Sequence, residues 1–218
     1  MKDYPNGRRE MIRLTDVEKR YGRQLVLRID EFTVWQGDRI ALVGSNGSGK
    51  STLLRILAGI AQVDRGVARW AQELEREPVG YVPQSGGLYG ELTVQDNLEL
   101  RRRLYGLSPK DVGEQSFLRL FGLEPFLQKP FSELSGGYQR LAVVASALHV
   151  DPTWALLDEP FAGVDSPKAE QVSRALDRLG ERLRLLIITE QATGSFPSAN
   201  RVIEVRDGQV RELQDGGA

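Results

Sequence analysis

Three short stretches of this 218-residue chain carry residue types spaced for phosphate chemistry. The first, Gly44-Ser45-Asn46-Gly47-Ser48-Gly49-Lys50-Ser51-Thr52, fits the pattern GxxxxGK followed by Ser or Thr. Its glycines let consecutive backbone amides turn toward phosphate oxygens at the amino end of a helix. Lys50 is then placed to bridge β- and γ-phosphates, and the Ser51 hydroxyl to ligate Mg²⁺. The second stretch, Trp154-Ala155-Leu156-Leu157-Asp158-Glu159, is an apolar strand ending in two carboxylates. Asp158 suits Mg²⁺ held through a water, and Glu159 suits a general base that polarises an attacking water. The third, Leu134-Ser135-Gly136-Gly137-Tyr138-Gln139-Arg140, reads as a helix start. Ser135 is placed to cap that helix, and Gly136 and Gly137 leave amides uncovered at its amino end, a second anion site.

These stretches need a frame. Partial alternation and β-branched content predict strands over 12–15 and 26–34, separated by a turn at Tyr21-Gly22. A buried strand over 38–43 runs into the first glycine loop, and a helix over 50–58 follows, ended by Gly59. Short strands are expected over 66–70 and 79–82. Helical patterns over 94–105, 109–121 and 136–149 make an inserted helical region, roughly 85–150. Alternation then resumes with a strand to Leu157, a helix over 167–182 and a strand over 185–189. A hairpin joins 201–206 to 209–212 through Asp207-Gly208. Strands alternating with helices imply an α/β fold with a parallel sheet and crossover connections.

Composition narrows the class. Hydrophobic content of 40% and charged content of 27% are those of a soluble globular protein, and the length suits one large domain or two joined lobes. A net charge of −1 gives no global pull toward nucleic acid, and the absence of cysteine excludes disulfides and thiolate metal sites. No apolar run approaches the roughly 18 residues that span a bilayer. Residues 1–10 are polar and turn-rich and read as a short flexible tail.

Taken in chain order, with the Leu134-to-Arg140 motif lying between the phosphate loop and the Asp158-Glu159 strand, the three stretches resemble the ATP-binding cassette (ABC) ATPases, over nearly the whole chain. The resemblance implies a P-loop NTPase core with a mainly parallel sheet, an amino-terminal antiparallel β subdomain and an inserted helical subdomain. It implies one ABC ATPase domain over 11–218, with a core lobe of 11–84 and 151–218 and a helical signature-motif lobe of 85–150. ATP and Mg²⁺ are the implied cofactors, with Gly44 to Thr52 around the phosphates and Ser51, Asp158 and Gln84 toward the metal. Glu159 and Lys50 are the implied catalytic groups. Gln84, in Gly80-Tyr81-Val82-Pro83-Gln84, matches the glutamine that reaches Mg²⁺ and senses a membrane partner. Tyr21 matches the aromatic that stacks on adenine, and Asp165 the aspartate that couples paired sites. Ser135, Gly136 and Gly137 are expected to act in trans, on the γ-phosphate held by a second cassette.

One position departs from that pattern. The family places a histidine after the strand read as 185–189, where it donates a hydrogen bond to the γ-phosphate; here Glu190 fills the slot, or Gln191 after a one-residue shift. Two like charges about 4 Å apart repel by about 4 kcal/mol at an effective dielectric of about 20, so an ionised Glu190 there opposes closure. The sole histidine, His149, reads as a surface or packing residue. The resemblance thus implies the ATP-hydrolysing subunit of an ABC transporter, with slowed or conditional hydrolysis. It dimerises around MgATP, as a homodimer or with a second ATPase subunit, and drives a separate membrane-spanning subunit from the cytoplasmic face of the membrane. Nucleic acid is not an expected partner. A soluble ABC ATPase, such as an iron–sulfur assembly type, and a weakly hydrolysing regulatory subunit are the alternative readings.

Overall fold

In the computed structural model, which describes residues 7–108, 116–180, 182–191 and 196–213, the chain builds two sheets. The central one has six strands in the order β5 (Val79–Val82), β6 (Trp154–Leu157), β7 (Leu185–Glu190), β3 (Arg39–Val43), β8 (Arg201–Arg206) and β9 (Gln209–Leu213). All neighbours are parallel except β8 and β9, which form the expected hairpin. Asp207 and Gly208 at its tip have φ of 50° and 75°, the two left-handed residues of a tight turn matching strand twist.

Strands β6 and β7 are buried on both faces, which is why they read as continuous apolar runs. Their side chains alternate between two cores. Ala155, Leu157, Leu186 and Ile188 join the core beneath the helical lobe. Trp154, Leu156, Leu185 and Ile187 join the core shared with the second sheet and the first helix.

The second sheet, β2 (Gln24–Trp35), β1 (Glu10–Tyr21) and β4 (Arg65–Trp70), is antiparallel. β1 is much longer than the strand expected over 12–15 because a bulge hides its continuation. Ile12, Leu14 and Val17 are all buried, and the extra residue lies at Asp16, whose φ is 51°. Beside it a Cβ on Gly66 would lie 2.2 Å from the Asp16 carbonyl oxygen, so only glycine fits. The tail expected over 1–10 is tied down at its end: Glu10 opens β1, Arg9 accepts from Gln36 N–H at 2.9 Å, and Arg8 pairs with buried Asp38 at 3.2 Å. Residues 1–6 lie outside the described residues.

Helix α1 (Lys50–Leu57) buries Leu53, Leu54, Ile56 and Leu57 against the second core. A short α2 (Gln72–Arg76), not expected from the sequence, links β4 to β5. The inserted region holds α3 (Val94–Leu104), α4 (Ser116–Leu120) and α5 (Gly136–Leu148). Most of the helix expected over 109–121 precedes α4, with 109–115 outside the described residues. α6 (Ser166–Gly180) returns the chain to β7. The architecture is therefore the expected one: a mainly parallel α/β core, an antiparallel β subdomain and an inserted helical region.

Candidate functional site

The carboxyl ends of β5, β6, β7 and β3 lie side by side, and in an open α/β sheet that edge is where ligands bind. The register sets the levels. Val43 pairs with Glu190, Leu157 with Ile188, and Val82 with Leu157. So Gln84, the Asp158-Glu159 pair, Glu190 and the loop opening at Gly44 all leave the sheet along one rim.

The loop from Gly44 to Gly49 folds back on itself. A Cβ at Gly44 would sit 2.3 Å from the Val205 carbonyl oxygen, and one at Gly49 would sit 2.7 Å from a Leu27 methyl. Their φ values of 149° and 110° exclude other residues as well. Lys50 is buried and donates from Nζ to the carbonyls of Gly44 (2.7 Å) and Ser45 (3.0 Å). Burial pulls its ammonium below the usual lysine range, and the nearby Glu159 and Asp158 carboxylates oppose that shift. Ser45, Asn46 and Gly47 are exposed on the rim, Ser51 and Thr52 are half-buried, and Ser48 is buried with its hydroxyl unpartnered among the described residues.

Asp158 is buried at the tip of β6, with Glu159 half-buried beside it. Thr189 donates its hydroxyl proton to Asp158 Oδ1 at 2.6 Å, and Thr189 Oγ1 in turn accepts Glu159 N–H at 2.8 Å. Glu159 has φ 47°, a left-handed conformation unusual for a non-glycine residue. Its carbonyl accepts from Arg140 Nε at 3.0 Å. Arg140 also donates to the carbonyls of Asp158, Pro83 (2.7 Å) and Gln84 (3.4 Å). Burial lowers the Arg140 pKa, and Asp158 and Glu159 counter it. One arginine from α5 therefore ties together the turns after β5 and β6.

The motif before α5 is built differently. Ser135 occupies the N-cap position, but its side chain makes no cap hydrogen bond; the bond there is from Gln139 N–H to the Ser135 carbonyl at 2.8 Å. The expected hydroxyl cap is thus not made, and Ser135 contributes only the carbonyl of the first intrahelical bond. Ser135 and Gly136 are exposed, and a Cβ on Gly136 would meet nothing within 4 Å. Gly137 packs closely: a Cβ there would lie 3.0 Å from the Gly163 carbonyl oxygen. Tyr138 packs against Phe126 with ring centroids 4.5 Å apart and the planes tilted by 48°, and Lys168 Nζ lies 4.1 Å from the Tyr138 ring centroid and 3.3 Å from Asp165. The expected coupling residue Asp165 is thereby linked to the motif through Lys168.

Other expected residues fall at the rim or beyond it. Gln84 is exposed just past β5. Tyr21, 47% exposed at the end of β1, has Lys19 Nζ 5.5 Å from its ring centroid. Glu190 is buried as the last residue of β7, whereas Gln191 bends outward into solvent. His149 ends α5 fully buried, a packing residue rather than part of the rim.

Sequence reasoning assigned no role to Arg140, Thr189 or Asn97. Asn97 on α3 is buried and fixes the segment after Gln84 through Tyr89 N–H and the carbonyls of Tyr89, Leu92 and Thr93. The available signal was a polar residue within an otherwise apolar stretch, most visibly Thr189 after Leu185-Leu186-Ile187-Ile188.

The donors offered to a divalent ion are the Ser51 hydroxyl, the Asp158 carboxylate and the Gln84 amide, all hard oxygens that suit Mg²⁺. Among the described residues no group of three or more His, Cys, Asp or Glu could hold a metal alone. Phosphate oxygens would have to complete the shell, as is usual for Mg²⁺ on nucleotides. The buried Lys50 cation and the orphaned Ser48 hydroxyl fit the same anionic ligand.

The family model for ABC transporter matches residues 27–162. The sulfate/thiosulfate import ATP-binding protein CysA of Photorhabdus laumondii is 32% identical over 216 residues, which cover 93% of this chain and 60% of that protein. CysA of Mycobacterium bovis is 33% identical over 212 residues, covering 92% and 60%. The chain thus spans 60% of the length of these curated relatives. Among solved structures, dimeric MJ0796, a bacterial ABC transporter cassette, superposes with a TM-score of 0.81 at 26% identity, covering 95% of this chain and 100% of that one. The dimeric post-hydrolysis state of that cassette, bound to ADP and Pi, gives 0.81 at 25% identity with the same coverage. No helix among the described residues is long and apolar enough to cross a membrane.

Proposed function

This chain belongs to the ABC transporter family of ATP-binding proteins, and from that premise we propose that it binds MgATP, dimerises around it and hydrolyses it to drive a membrane-spanning partner from the cytoplasmic face. The observation that carries this reading is the rim itself. It places a buried cation, Lys50, and two carboxylates, Asp158 and Glu159, at neighbouring strand ends beneath a glycine loop. The Gly136 amide end is exposed to solvent with open space around it, where a second chain can reach it.

In this proposal the loop amides and Lys50 hold the β- and γ-phosphates, and the Tyr21 ring takes the adenine on its exposed side. Ser51 and Asp158, with Gln84, would hold Mg²⁺. When bound, that ion neutralises phosphate charge and polarises the γ-phosphorus. Glu159 accepts a proton from the attacking water as the water oxygen bonds to the γ-phosphorus, while the bond to the β–γ bridging oxygen breaks and ADP leaves. Gly136 and Gly137 of the second chain bring amides to the far side of the γ-phosphate, so hydrolysis requires the dimer. Sulfate or thiosulfate import belongs to the CysA relatives; this chain's cargo would be set by its membrane partner.

Dimerisation tests the reading. With ATP and Mg²⁺, Glu159→Gln is expected to bind nucleotide, lose hydrolysis and accumulate as a dimer in sedimentation equilibrium. A monomer under saturating ATP would sink the shared-site proposal. Recovery of a multi-span membrane protein with the tagged native chain supports the transport part, and recovery of a soluble scaffold overturns it.

A further inference from the structure

Thr189 touches the two acidic residues in different ways. Its hydroxyl has one proton and donates it to the Asp158 carboxylate at 2.6 Å. The Thr189 hydroxyl oxygen itself accepts the backbone N–H of Glu159 at 2.8 Å. Thr189 itself is 1% exposed, and its backbone is fixed in β7 between β6 and β3. Along β7 the side chains alternate, so Thr189 falls on the face of Leu185 and Ile187, and Glu190 on the face of Leu186 and Ile188. Thr189 is therefore not part of the switch slot beside it.

The turn it grips is under strain. Glu159 adopts φ 47°, which costs a non-glycine residue free energy unless its surroundings enforce it. The enforcement comes from two elements: Thr189 of β7 holds the Glu159 N–H, and Arg140 of α5 holds the Glu159 carbonyl. Rotating the peptide to relieve the strain would break one bond to each element.

We infer that Thr189 is a positioning residue for the proposed ATPase site, fixing the orientation of the Asp158 carboxylate toward the metal and the left-handed turn that presents Glu159. The inference rests on the ATPase reading above. With Oδ1 committed to Thr189, the second Asp158 oxygen is the one offered to a metal-bound water, so Thr189 selects which oxygen serves. Hydroxyl loss frees the carboxylate to rotate and removes one of the two restraints on Glu159.

The test compares Thr189→Val, which keeps the shape and loses the hydroxyl, with Thr189→Ser, which keeps the hydroxyl. Thr189→Val is expected to lower kcat about 30-fold with KM for ATP within about threefold, because the interaction lost orients rather than binds. Thr189→Ser should stay within about twofold of native. A binding measurement supplies a readout independent of turnover. ATP affinity in EDTA should be unchanged in Thr189→Val, while the gain in affinity on adding Mg²⁺ falls about tenfold, a loss that a general packing defect would not confine to the metal. Should Thr189→Val fail to fold, Thr189→Ala gives the same readouts without a methyl against the carboxylate. Native-like values in the hydroxyl-free variant overturn the inference. So does an equal loss in Thr189→Ser, or weakened binding in EDTA. Glu159→Gln, run in parallel, separates the two levels. If it hydrolyses ATP like the native chain, the ATPase reading has failed; if it is inactive while Thr189→Val is normal, only the role of Thr189 has failed.

Discussion

The loop before α1 and the loop before α5 both place glycines at a helix amino end, and they differ in what those glycines meet. At Gly44 and Gly49 the reason for glycine is internal: Val205, Leu27 and left-handed φ leave room for nothing else. The Lys50 ammonium closes on the loop's own carbonyls, so this half of the site is complete within one chain. At Gly136 there is no internal reason: its φ is ordinary, its surroundings are open and it faces solvent. Only Gly137, pressed toward the Gly163 carbonyl oxygen, is constrained from within. A glycine that its own fold does not need fits a surface that must admit something close to backbone. In the proposed function that is the γ-phosphate of ATP on a second chain.

The largest expected effect separates the loops by function. Gly136→Val should lower hydrolysis about 100-fold, since a side chain over the exposed amides blocks the second chain's phosphate. The thermal midpoint, and ATP affinity of the isolated chain, should match native. Calorimetry and equilibrium nucleotide binding check both halves. A lowered midpoint or weakened binding in the isolated chain would break the comparison, because Gly136 would then serve its own fold.

How legible these differences were in the sequence depends on how local the chemistry is. The phosphate loop and the Trp154-to-Glu159 strand could be read because every residue in the pattern lies within a few positions of the next. The placement of β3, β6 and β7 followed from their apolar runs. β1 was read short because the bulge at Asp16 breaks its alternation, and the partner that forces the bulge, Gly66, is far along the chain. Ser135 looked like a hydroxyl cap because its type and position fit, yet the backbone alone closes that turn. Arg140 and Thr189 bind backbone or side-chain atoms on other elements, so no spacing in the sequence announces them. The contrast between Gly44 and Gly136 was invisible too, since both are simply glycines until their surroundings are known.

Stability sharpens the same contrast at a smaller scale. Gly49→Ala places a Cβ against the Leu27 methyl at φ 110° and is expected to cost about 2 kcal/mol in urea denaturation. Gly136→Ala should stay within about 0.5 kcal/mol of native, because it adds a methyl in open space and lowers unfolded-chain entropy. Equal losses would show that the second loop is as tightly determined as the first.

Beside the first loop sits Glu190, buried at the end of β7 and paired in register with Val43, the residue just before Gly44. The family histidine at that slot donates a hydrogen bond, and a carboxylate cannot do so while ionised. Glu190→His is expected to raise steady-state hydrolysis about tenfold, the worth of one charge-assisted hydrogen bond in the transition state. An unchanged rate removes Glu190 as a limiter and leaves the signature loop's docking as the slow element.

The smallest effect asks whether the two loops can be loosened separately, and His149 supplies the means. It ends α5, the helix that presents Gly136, and is fully buried with Nδ1 unpartnered among the described residues. Burial holds its pKa below the ordinary 6.5. Arg102 on α3 adds to that lowering, while Glu99 on the same helix, 3.5 Å from Nε2, and Asp151 oppose it. A histidine whose folded pKa is depressed stays neutral in the fold while the unfolded chain takes up a proton below 6.5. Its contribution is therefore intact above about pH 6.5 and is lost as pH falls through that value toward the folded pKa, by at most about 1.4 kcal/mol per pH unit. Between pH 7.5 and 5.5 the native chain should lose more stability than His149→Leu, which has nothing to titrate there. Hydrogen exchange locates the loss: amides of α5 and α3 should open faster at pH 5.5, after correction for intrinsic rates, while those of α1 hold. Parallel opening of α1 and α5 would mean that acid loosens the whole molecule and that the two loops are not mechanically separable.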